Sequence, residues 1–231
     1  MTIYERALEL VPNDAVIGLG SGRAAWAFVG LLGQRVRSGQ LNVRGVTASE
    51  ETTSVAHEHG VPLVTLQDAS ELALTVDGAD EVDPELNLIK GYGRALVRER
   101  IVAVSSRRLV ILVGEEKLVP RLGTRGRLPV EVVPFAVPLC KRRLERLDMT
   151  PVLWLQNGRP GKTDNGNHVF DCEIEPVQDA ARLDAEIRAI PGVVGTGLFL
   201  GMADVVLVGD DRDFRLKTER RRDGRLELPG L

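Results

Sequence analysis

Short, continuous apolar segments recur through the first half of the chain and are separated by segments with helical periodicity. The apolar segments predict strands: AVIGLG, LNVRGVTAS, VPLVTL, LALTVDGAD and RLVILVG. The intervening stretches RAAWAFVGLLGQRVRSG, EETTSVAHEHG and YGRALVRERIVAVSS place apolar residues at the spacing of a helix face. Strands that alternate with helices in this way predict an α/β fold, in which helices cover both faces of a Rossmann-like parallel sheet.

The order of elements changes after GRLPVEVVPFA. From there the pattern predicts a strand, a helix, two strands, a helix and a strand, the βαββαβ order of a ferredoxin-like α+β unit. ADVVLVG then predicts a buried parallel strand, so the chain is expected to return to the first sheet. We therefore predict an inserted ferredoxin-like domain over residues 129–202 and a Rossmann-like catalytic domain built from residues 1–128 and 203–231. The polar tail LKTERRRDGRLELPGL predicts a solvated segment.

Charge and composition narrow the function classes. The formal net charge of −3 argues against nucleic acid or an anionic membrane as the main partner. Cys140 and Cys172 are too few for a disulfide framework, which is typical of a reducing compartment. No apolar segment approaches the roughly 20 residues that span a bilayer. The N-terminus carries charges that the core of a signal peptide lacks. The sequence predicts a cytoplasmic protein.

The first glycine turn, GLGSGRAA, lies between a predicted strand and a predicted helix. Free N–H groups and the positive end of the helix dipole attract phosphate to such a helix start. Arg23 favours an anion further, although a simple tight turn stays open as an alternative. A dinucleotide site is disfavoured because the stretch gives G-x-G-x-G rather than G-x-G-x-x-G. The second strand also ends in VTAS, without the acidic residue that such a site needs.

An acidic turn, DGAD, follows the strand segment LALTV. Asp77 and Asp80 therefore lie at the sheet end where open α/β folds bind ligands, and Gly78 lets the backbone approach a ligand closely. An Asx-type turn with helix-capping acids is the alternative, and it explains Asp80 better than the whole cluster. Clustered carboxylates can also hold a hard cation, but no His or Cys lies nearby, so no metal is predicted.

A second glycine turn, KGYG, opens the next predicted helix and places Lys90 just before it. On that helix Glu99 has apolar neighbours three and four residues away on both sides: Ala95, Leu96, Val102 and Ala103. A carboxylate in an apolar stripe must be paired or have a shifted pKa, because desolvation favours its protonated form. Two interpretations stay open. Glu99 is either a general base that works near neutral pH or the partner of a structural arginine, Arg94 or Arg98.

Together these groups predict sugar-phosphate chemistry. Two turns suited to phosphate, an acidic cluster, one lysine and one semi-buried glutamate can bind a small phosphorylated sugar. A base can then remove the proton alpha to a carbonyl while a cation and hydrogen-bond donors stabilise the enediolate. This chemistry requires neither a redox cofactor nor a metal, so no cofactor is predicted.

At these residues the chain resembles the ribose-5-phosphate isomerase type A family. The resemblance covers almost the whole length through VDGADEVDPELNLIKGYG, EEKLV, LPVEVVPFA, TDNGNHVFDC and PGVVGTGLF. DGADE, LPVEV and TDNGN in this order and spacing are far more specific than a single glycine motif. The family implies metal-free interconversion of ribose 5-phosphate and ribulose 5-phosphate, a two-domain fold, and a homodimer or homotetramer. The apolar segments VEVVPFA and GLFL are candidates for a subunit interface.

The resemblance also implies roles for the matched residues. Glu99 matches the family's catalytic base, and Asp77 matches an acid placed to help ring opening. Lys90 and the turn after it match the loop that stabilises the enediolate oxygens, and Lys117 in EEKLV matches a further substrate-binding lysine. The implied substrate-binding set is Ser21, Gly22, Arg23, Ala24, Asp77, Gly78, Ala79, Asp80, Lys90, Gly91, Tyr92, Gly93 and Lys117.

The phosphate end departs from the family pattern. The family's turn reads G-T-G-S-T-A, whereas only the hydroxyl of Ser21 survives here, beside Arg23 and Ala24. We expect Arg23 to replace the lost phosphate ligands. Tyr92 and Arg94 stand where small residues are usual, so the pocket mouth is expected to differ. A related isomerase with a shifted substrate and a non-catalytic sugar-phosphate-binding protein stay open as alternatives.

Overall fold

The computed structural model describes residues 1–69, 71–210 and 212–222. Its helices are α1 Ile3–Glu9, α2 Arg23–Arg37, α3 Glu50–Glu58, α4 Leu96–Val104, α5 Val137–Glu145 and α6 Ala180–Arg188. Its strands are β1 Ala15–Leu19, β2 Val43–Thr47, β3 Thr75–Gly78, β4 Glu81–Val82, β5 Leu88–Ile89, β6 Leu109–Gly114, β7 Arg127–Val132, β8 Thr150–Leu153, β9 Leu155–Gln156, β10 Arg159–Pro160, β11 His168–Glu173, β12 Val193–Thr196, β13 Leu198–Phe199, β14 Val205–Gly209 and β15 Leu216–Arg221. Short 3₁₀ turns cover Glu115–Lys117 and Pro134–Ala136. None of the described helices is long and apolar enough to cross a membrane.

The larger sheet has six strands in the order β15-β14-β6-β3-β1-β2. Its neighbouring strands are parallel except for β14 and β15. On β6, Val110 and Leu112 join the core under α1 and α2, whereas Ile111 and Val113 join the core that contains Ala103 of α4. Both faces of this strand are buried, which explains its continuous apolar sequence. The predicted Rossmann-like α/β class is confirmed.

The segment VPLVTL, predicted as a strand, is not one. Only Leu63 forms a bridge, to Gly45 of β2. Pro62 lacks the N–H group that a ladder needs, and Gly60 turns the chain just before it with a φ of 70°. Val61 is buried all the same, so its apolar character reflects packing against the edge of the sheet rather than an additional strand.

The polar tail is partly structured. Leu216–Arg221 forms β15, an antiparallel edge strand beside β14, and its side chains are all exposed or half-buried. An ion pair of 2.8 Å between Arg6 of α1 and Glu219 also holds the strand. An edge strand needs no apolar run, because backbone pairing on one side is sufficient and charged side chains protect the other. The rest of that tail, residues 223–231, lies outside the described residues.

The smaller sheet has the order β12-β7-β11-β8, and its neighbouring strands are antiparallel. With α5 between β7 and β8 and α6 between β11 and β12, it is the predicted βαββαβ unit. Leu128, Val130 and Val132 of β7 face its core, and the residues between them, Pro129 and Glu131, therefore face the other side. The division of the chain at residues 129 and 202 stays a prediction.

A third, three-stranded sheet joins the two parts of the chain. Its order is β13-β5-β4, and Leu198–Phe199 of β13 pairs with Leu88–Ile89 of β5. Leu198 and Phe199 are fully buried, so the GLFL segment is an internal contact and the expectation of an interface there is wrong. Strands β4 and β5 have two residues each and show no periodicity, so the sequence does not predict them, whereas β13 lies at the end of VVGTGLF, the last strand predicted for the βαββαβ unit.

Replacement of Val132 by alanine should lower the free energy of unfolding by about 2 kcal/mol, because it removes two buried methyl groups from the smaller sheet. Val152, on β8 of the same sheet, is 49% exposed and provides the matched control. Val152→Ala should cost less than about 0.5 kcal/mol. Urea unfolding followed by circular dichroism measures both variants, and equal losses would contradict the described core.

Candidate active site

Asp77 joins the first glycine turn to the acidic turn. It lies on β3 and is fully buried. Its Oδ1 accepts hydrogen bonds from the main-chain N–H groups of Ser21, at 3.1 Å, and Gly78, at 2.7 Å. A Cβ added at Gly20 would lie 2.1 Å from the carboxyl carbon of Asp77. The first turn can therefore approach this carboxylate only because Gly20 has no side chain.

Lys90 is a buried cation between two carboxylates. Its Nζ lies 3.0 Å from Asp77 Oδ2 and 3.2 Å from Glu99 Oε1. The same ammonium group donates a hydrogen bond of 2.5 Å to the carbonyl oxygen of Gly78. Phe199 covers it, with the ring centroid 5.6 Å from Nζ. Because Lys90 is only 2% exposed, its charge acts on these few neighbours with little screening by water.

Glu99 of α4 occupies the apolar stripe that the sequence predicted. The glutamate and its neighbours are all buried: Ala95, Leu96, Val102 and Ala103. Oε1 faces Lys90, whereas Oε2 is buried and has no hydrogen-bond partner among the described residues. The alternative of a structural pair with Arg94 or Arg98 is wrong, because those arginines bind other groups. The cluster of Asp77, Lys90 and Glu99 is called the charged triad below.

The groups of the charged triad shift each other's pKa values. Burial raises the pKa of Glu99, the charge of Lys90 partly offsets that rise, and Asp77 adds to it. Burial alone would lower the pKa of Lys90, but the charges of Asp77 and Glu99 outweigh burial and raise that pKa. Lys90 therefore keeps its proton, while Glu99 binds one more readily than an ordinary carboxylate does. A carboxyl group in this state can exchange a proton near neutral pH.

Asp80 follows the triad along the acidic turn. Its Oδ2 accepts a hydrogen bond of 3.0 Å from the main-chain N–H of Tyr92, so the acidic turn and the Lys90 turn are joined. Burial raises the pKa of Asp80, and the Tyr92 hydrogen bond and the charges of Lys90, Lys117 and Arg127 oppose the rise. Lys117 lies on the 3₁₀ turn after β6, 3.9 Å from its neighbour Glu116. The structure brings Lys117 within electrostatic reach of Asp80 without a direct contact to the charged triad.

The remaining predicted residues of the acidic and Lys90 turns form the surroundings of these carboxylates. Gly78 and Ala79 are half-buried between Asp77 and Asp80. Gly91 has a φ of 106°, and a Cβ there would lie 2.8 Å from Leu96, so the turn after Lys90 requires glycine at this point. Gly93 is exposed.

The first glycine turn ends at the start of α2. Gly22 is the N-cap residue, with a φ of 93°, and Ala24 is half-buried. Arg23 is exposed, and among the described residues no hydrogen bond or ion pair engages its guanidinium. Its charge lowers the pKa of Tyr4 on α1, against the larger effect of burial. Arg23 therefore lies at the predicted helix start with its charge available to an anion.

A group of hydroxyl side chains extends this turn from the predicted Ser21 to Ser49 and Thr52, which were not predicted. The Ser21 and Ser49 hydroxyls lie 3.0 Å apart, and the Ser49 hydroxyl donates to Thr52 Oγ1 at 2.9 Å. Thr52 donates to the carbonyl oxygen of Gly20 at 2.8 Å and accepts from the indole N–H of Trp26 at 2.9 Å. Ser49 also caps α3. The only signal in the sequence was the polar end of the second strand, VTAS.

Two arginines near the start of α4 hold it against the smaller sheet. Arg94 forms a bidentate pair with Asp171, at 2.6 and 2.9 Å. Arg98 donates to the carbonyl oxygen of Asp164 at 2.8 Å and to Asn165 Oδ1 at 2.9 Å. Both arginines lie just before Glu99 in the sequence, so the inserted segment helps to fix the helix that carries this carboxylate.

A third arginine, Arg100, anchors the other side of α4. Its guanidinium donates to the carbonyl oxygens of Thr196, at 3.0 Å, and Leu198, at 2.6 Å, and it stacks 4.1 Å from the Phe199 ring centroid. Burial lowers the pKa of Arg100 to about 10. The same aromatic ring thus covers both Arg100 and Lys90.

The motifs LPVEV and TDNGN meet in the structure. Glu131, fully buried on β7, accepts at Oε1 from the Thr163 hydroxyl, at 3.0 Å, and from the side-chain amide groups of Asn165, at 3.3 Å, and Asn167, at 2.9 Å. This carboxylate shapes the turn that receives Arg98. The two motifs are therefore coupled through one buried acid, a relation that their separation in the sequence conceals.

Among residues 1–69, 71–210 and 212–222, no group of three or more His, Cys, Asp and Glu side chains has the arrangement of a metal site. The carboxylates of the site are instead bound to an ammonium ion and to main-chain N–H groups.

Known proteins are similar to this chain in both sequence and architecture. The family described as ribose 5-phosphate isomerase A (phosphoriboisomerase A) matches residues 44–213. A ribose-5-phosphate isomerase A from Gloeobacter violaceus is 47% identical over 218 residues, which are 94% of this chain and 94% of that protein. A solved ribose 5-phosphate isomerase A from Methanocaldococcus jannaschii is 38% identical with a TM-score of 0.88, covering 95% of this chain and 96% of that one.

A D-ribose-5-phosphate isomerase solved in complex with phospho-erythronic acid is 35% identical, with a TM-score of 0.89 over 95% of this chain and 96% of that chain. The family match, the identities and the shared fold agree with one another over nearly the whole length. The chain belongs to the ribose 5-phosphate isomerase A family.

Proposed function

We propose that this protein interconverts ribose 5-phosphate and ribulose 5-phosphate through an enediolate, with Glu99 as the general base and without a metal. The observation that carries the proposal is the charged triad. A buried carboxylate with one free oxygen lies 3.2 Å from a buried ammonium ion, and that ion also contacts Asp77. An acceptor for a carbon-bound proton and a cation for the resulting oxyanion therefore lie side by side.

The triad accounts for each step of an aldose–ketose isomerisation. Asp77 assists proton transfer as the furanose ring opens. Glu99 removes the proton from C2 of the open aldose, and the electron pair moves through the C1–C2 bond to the C1 oxygen. Lys90 stabilises that oxygen and its neighbour in the enediolate. Return of the proton to C1 and transfer of the O2 proton to O1 give the ketose, so no atom or electron is gained or lost.

The remaining predicted residues bind the substrate in this proposal. Asp80 and Lys117 hold sugar hydroxyls, and the backbone of Gly78, Ala79 and the turn Gly91–Gly93 surrounds the reacting carbons. The phosphate lies at the first turn, on Ser21, Gly22, Arg23 and Ala24, where the positive end of α2 attracts it. This assignment is supported by the hydrogen bonds that connect the first turn to Asp77 and the Lys90 turn to Asp80. The complex of a similar D-ribose-5-phosphate isomerase with phospho-erythronic acid supports a phosphorylated ligand.

A related isomerase with a shifted substrate is the second candidate. One observation favours it: an exposed arginine and an alanine, Arg23 and Ala24, occupy the first turn, so the phosphate end can prefer another spacing between phosphate and carbonyl. A non-catalytic sugar-phosphate-binding protein with the same site is distinguished by binding without turnover.

We further propose a cytoplasmic homodimer or homotetramer whose partner is a small phosphorylated pentose rather than nucleic acid or a membrane. The net charge of −3 and two buried free cysteines, Cys140 and Cys172, support the compartment and the choice of partner. Phe135 in the VEVVPFA segment is 96% exposed, and so large an aromatic side chain at the surface supports a subunit contact.

Replacement of Glu99 by glutamine should lower kcat by about 10²- to 10⁴-fold, because the amide cannot accept the C2 proton. Turnover of ribulose 5-phosphate by the parent protein should persist in EDTA. Since burial raises the pKa of Glu99 and the base works ionised, kcat/KM should fall on acidification at a pH above the ordinary carboxylate range of about 4 to 5. A coupled assay over a pH series measures the kcat of Glu99→Gln, the turnover in EDTA and the pH dependence of kcat/KM.

The exposed Glu58 of α3 provides the matched control, and Glu58→Gln should leave kcat unchanged. Loss of parent activity in EDTA would contradict the metal-free mechanism. Full activity of Glu99→Gln would contradict the choice of base. Binding of ribose 5-phosphate without turnover by the parent protein would favour the non-catalytic alternative.

Replacement of Arg23 by alanine should raise KM for the phosphorylated sugar about tenfold and change kcat less, because a charge-assisted contact to the phosphate is lost in both the ground and transition states. Arg142→Ala, at an exposed position on α5, is the control and should change neither constant. An unchanged KM in Arg23→Ala would reject Arg23 as a phosphate ligand.

A further inference from the structure

Tyr92 and Arg127 interlock beside the charged triad. The Arg127 guanidinium lies 4.1 Å from the centroid of the Tyr92 ring, within the range of a cation–π contact. The Tyr92 hydroxyl donates a hydrogen bond of 3.1 Å to the main-chain carbonyl oxygen of Arg127. Two independent contacts therefore join the turn after Lys90 to the first residue of β7.

Asp171 of β11 fastens this pair to the smaller sheet. One of its carboxylate oxygens lies 3.0 Å from Arg127 Nε and 2.6 Å from an Arg94 nitrogen, and the other lies 2.9 Å from the second Arg94 nitrogen. Arg94 also stacks 4.9 Å from the Trp154 ring centroid. Its φ of 69° is unusual for a residue with a side chain. The bidentate pair and the aromatic contact offset the cost of that conformation, and the Lys90 turn is held in place.

This arrangement determines the position of the Asp80 carboxylate. The main-chain N–H of Tyr92 donates to Asp80 Oδ2 at 3.0 Å, so the position of the Tyr92 backbone sets the position of this carboxylate. The positive charge of Arg127 also acts on Asp80. Arg127 contacts none of the three members of the charged triad, which bind one another and the first turn.

We propose that Arg127 and Tyr92 are positioning residues for Asp80, with Arg94 and Asp171 as their anchor in the smaller sheet. The inference rests on the proposed function, because it assigns Asp80 to the sugar hydroxyls. An ionised and correctly oriented Asp80 accepts hydrogen bonds from those hydroxyls, whereas a protonated or displaced one accepts fewer. The pair thus controls substrate binding from outside the reacting centre.

The electrostatic part of this role has a definite sign. Burial raises the pKa of Asp80, and Arg127 is one of the charges that oppose the rise. Removal of that charge therefore raises the pKa further and makes Asp80 lose its charge at a higher pH. The titratable and charged groups within electrostatic reach of Asp80 are Lys90, Lys117, Arg127, Glu81, Tyr92 and Glu99. A substitution at Arg127 removes one of these charges and leaves the other five groups in place.

The test compares Arg127→Met with the parent protein. We expect KM for ribose 5-phosphate to rise about fivefold and kcat to change less than about twofold, since the loss concerns binding and not the triad. The dissociation constant of phospho-erythronic acid, measured by calorimetry, should rise in parallel. The difference from the parent should grow as the pH is lowered, because the neutral form of Asp80 becomes populated earlier in the variant.

Arg127→Lys separates charge from stacking. It keeps the positive charge but loses the planar group that covers the Tyr92 ring. We therefore expect a smaller rise in the dissociation constant, with the pH dependence of the parent protein. Arg182→Met provides the matched control, because Arg182 lies on α6 in an exposed pair with Glu186, and it should leave all constants unchanged. Thermal unfolding verifies that each variant is folded, and Arg127→Lys alone decides the question if Arg127→Met does not fold.

Several outcomes would overturn the inference. These are an unchanged dissociation constant in both Arg127 variants, a fall in kcat without a change in KM, or the same altered pH dependence in Arg127→Lys as in Arg127→Met. Failure of the proposed function looks different, because the parent protein itself would then not turn over ribose 5-phosphate, whether or not it binds phospho-erythronic acid.

Discussion

The contact of the buried Lys90 ammonium with Asp77 and Glu99 is the interaction on which the rest of the site depends. Three ionisable groups in an apolar interior are costly unless their charges compensate. With Lys90 positive and Asp77 negative, the cluster is neutral when Glu99 is protonated and carries one negative charge when Glu99 is ionised. The second state is unfavourable in a dry environment, which is the physical reason why the pKa of Glu99 is raised. Because ionised Glu99 leaves the cluster with one excess negative charge, this carboxylate readily accepts a proton.

Backbone geometry allows this cluster to form. Strands β1 and β3 are parallel neighbours, so the turns that follow them leave the same edge of the sheet. Asp77 then receives two main-chain N–H groups, and Gly20 and Gly91 admit close approaches that any side chain would block. These main-chain donors hold the carboxylate without adding a further charged side chain, so Lys90 stays available to both acids.

Contacts with the inserted domain orient helix α4, which carries Glu99. Arg94, Arg98 and Arg100 lie on both sides of Glu99 in the sequence, and each binds a group of the inserted segment and not the glutamate. The sequence suggested that such arginines were alternatives to a catalytic Glu99. In the structure they direct the helix so that the glutamate faces Lys90. Exposed or half-buried ion pairs add little to the free energy of unfolding. The contribution of these arginines is therefore to the orientation of the helix rather than to stability.

The sequence by itself determined the α/β class, the βαββαβ insertion and the burial of Glu99, because periodicity and apolar neighbours are local properties of the chain. It misjudged VPLVTL, where a proline prevents a strand, and it gave no sign that part of the polar tail forms an edge strand. Only the tertiary structure decided which cation meets Glu99, and it joined Ser21 to Ser49, Glu131 to the TDNGN turn and Asp171 to Arg94 and Arg127. Such partners lie far apart in the chain, and their distances depend on strand order and register, which no single segment specifies.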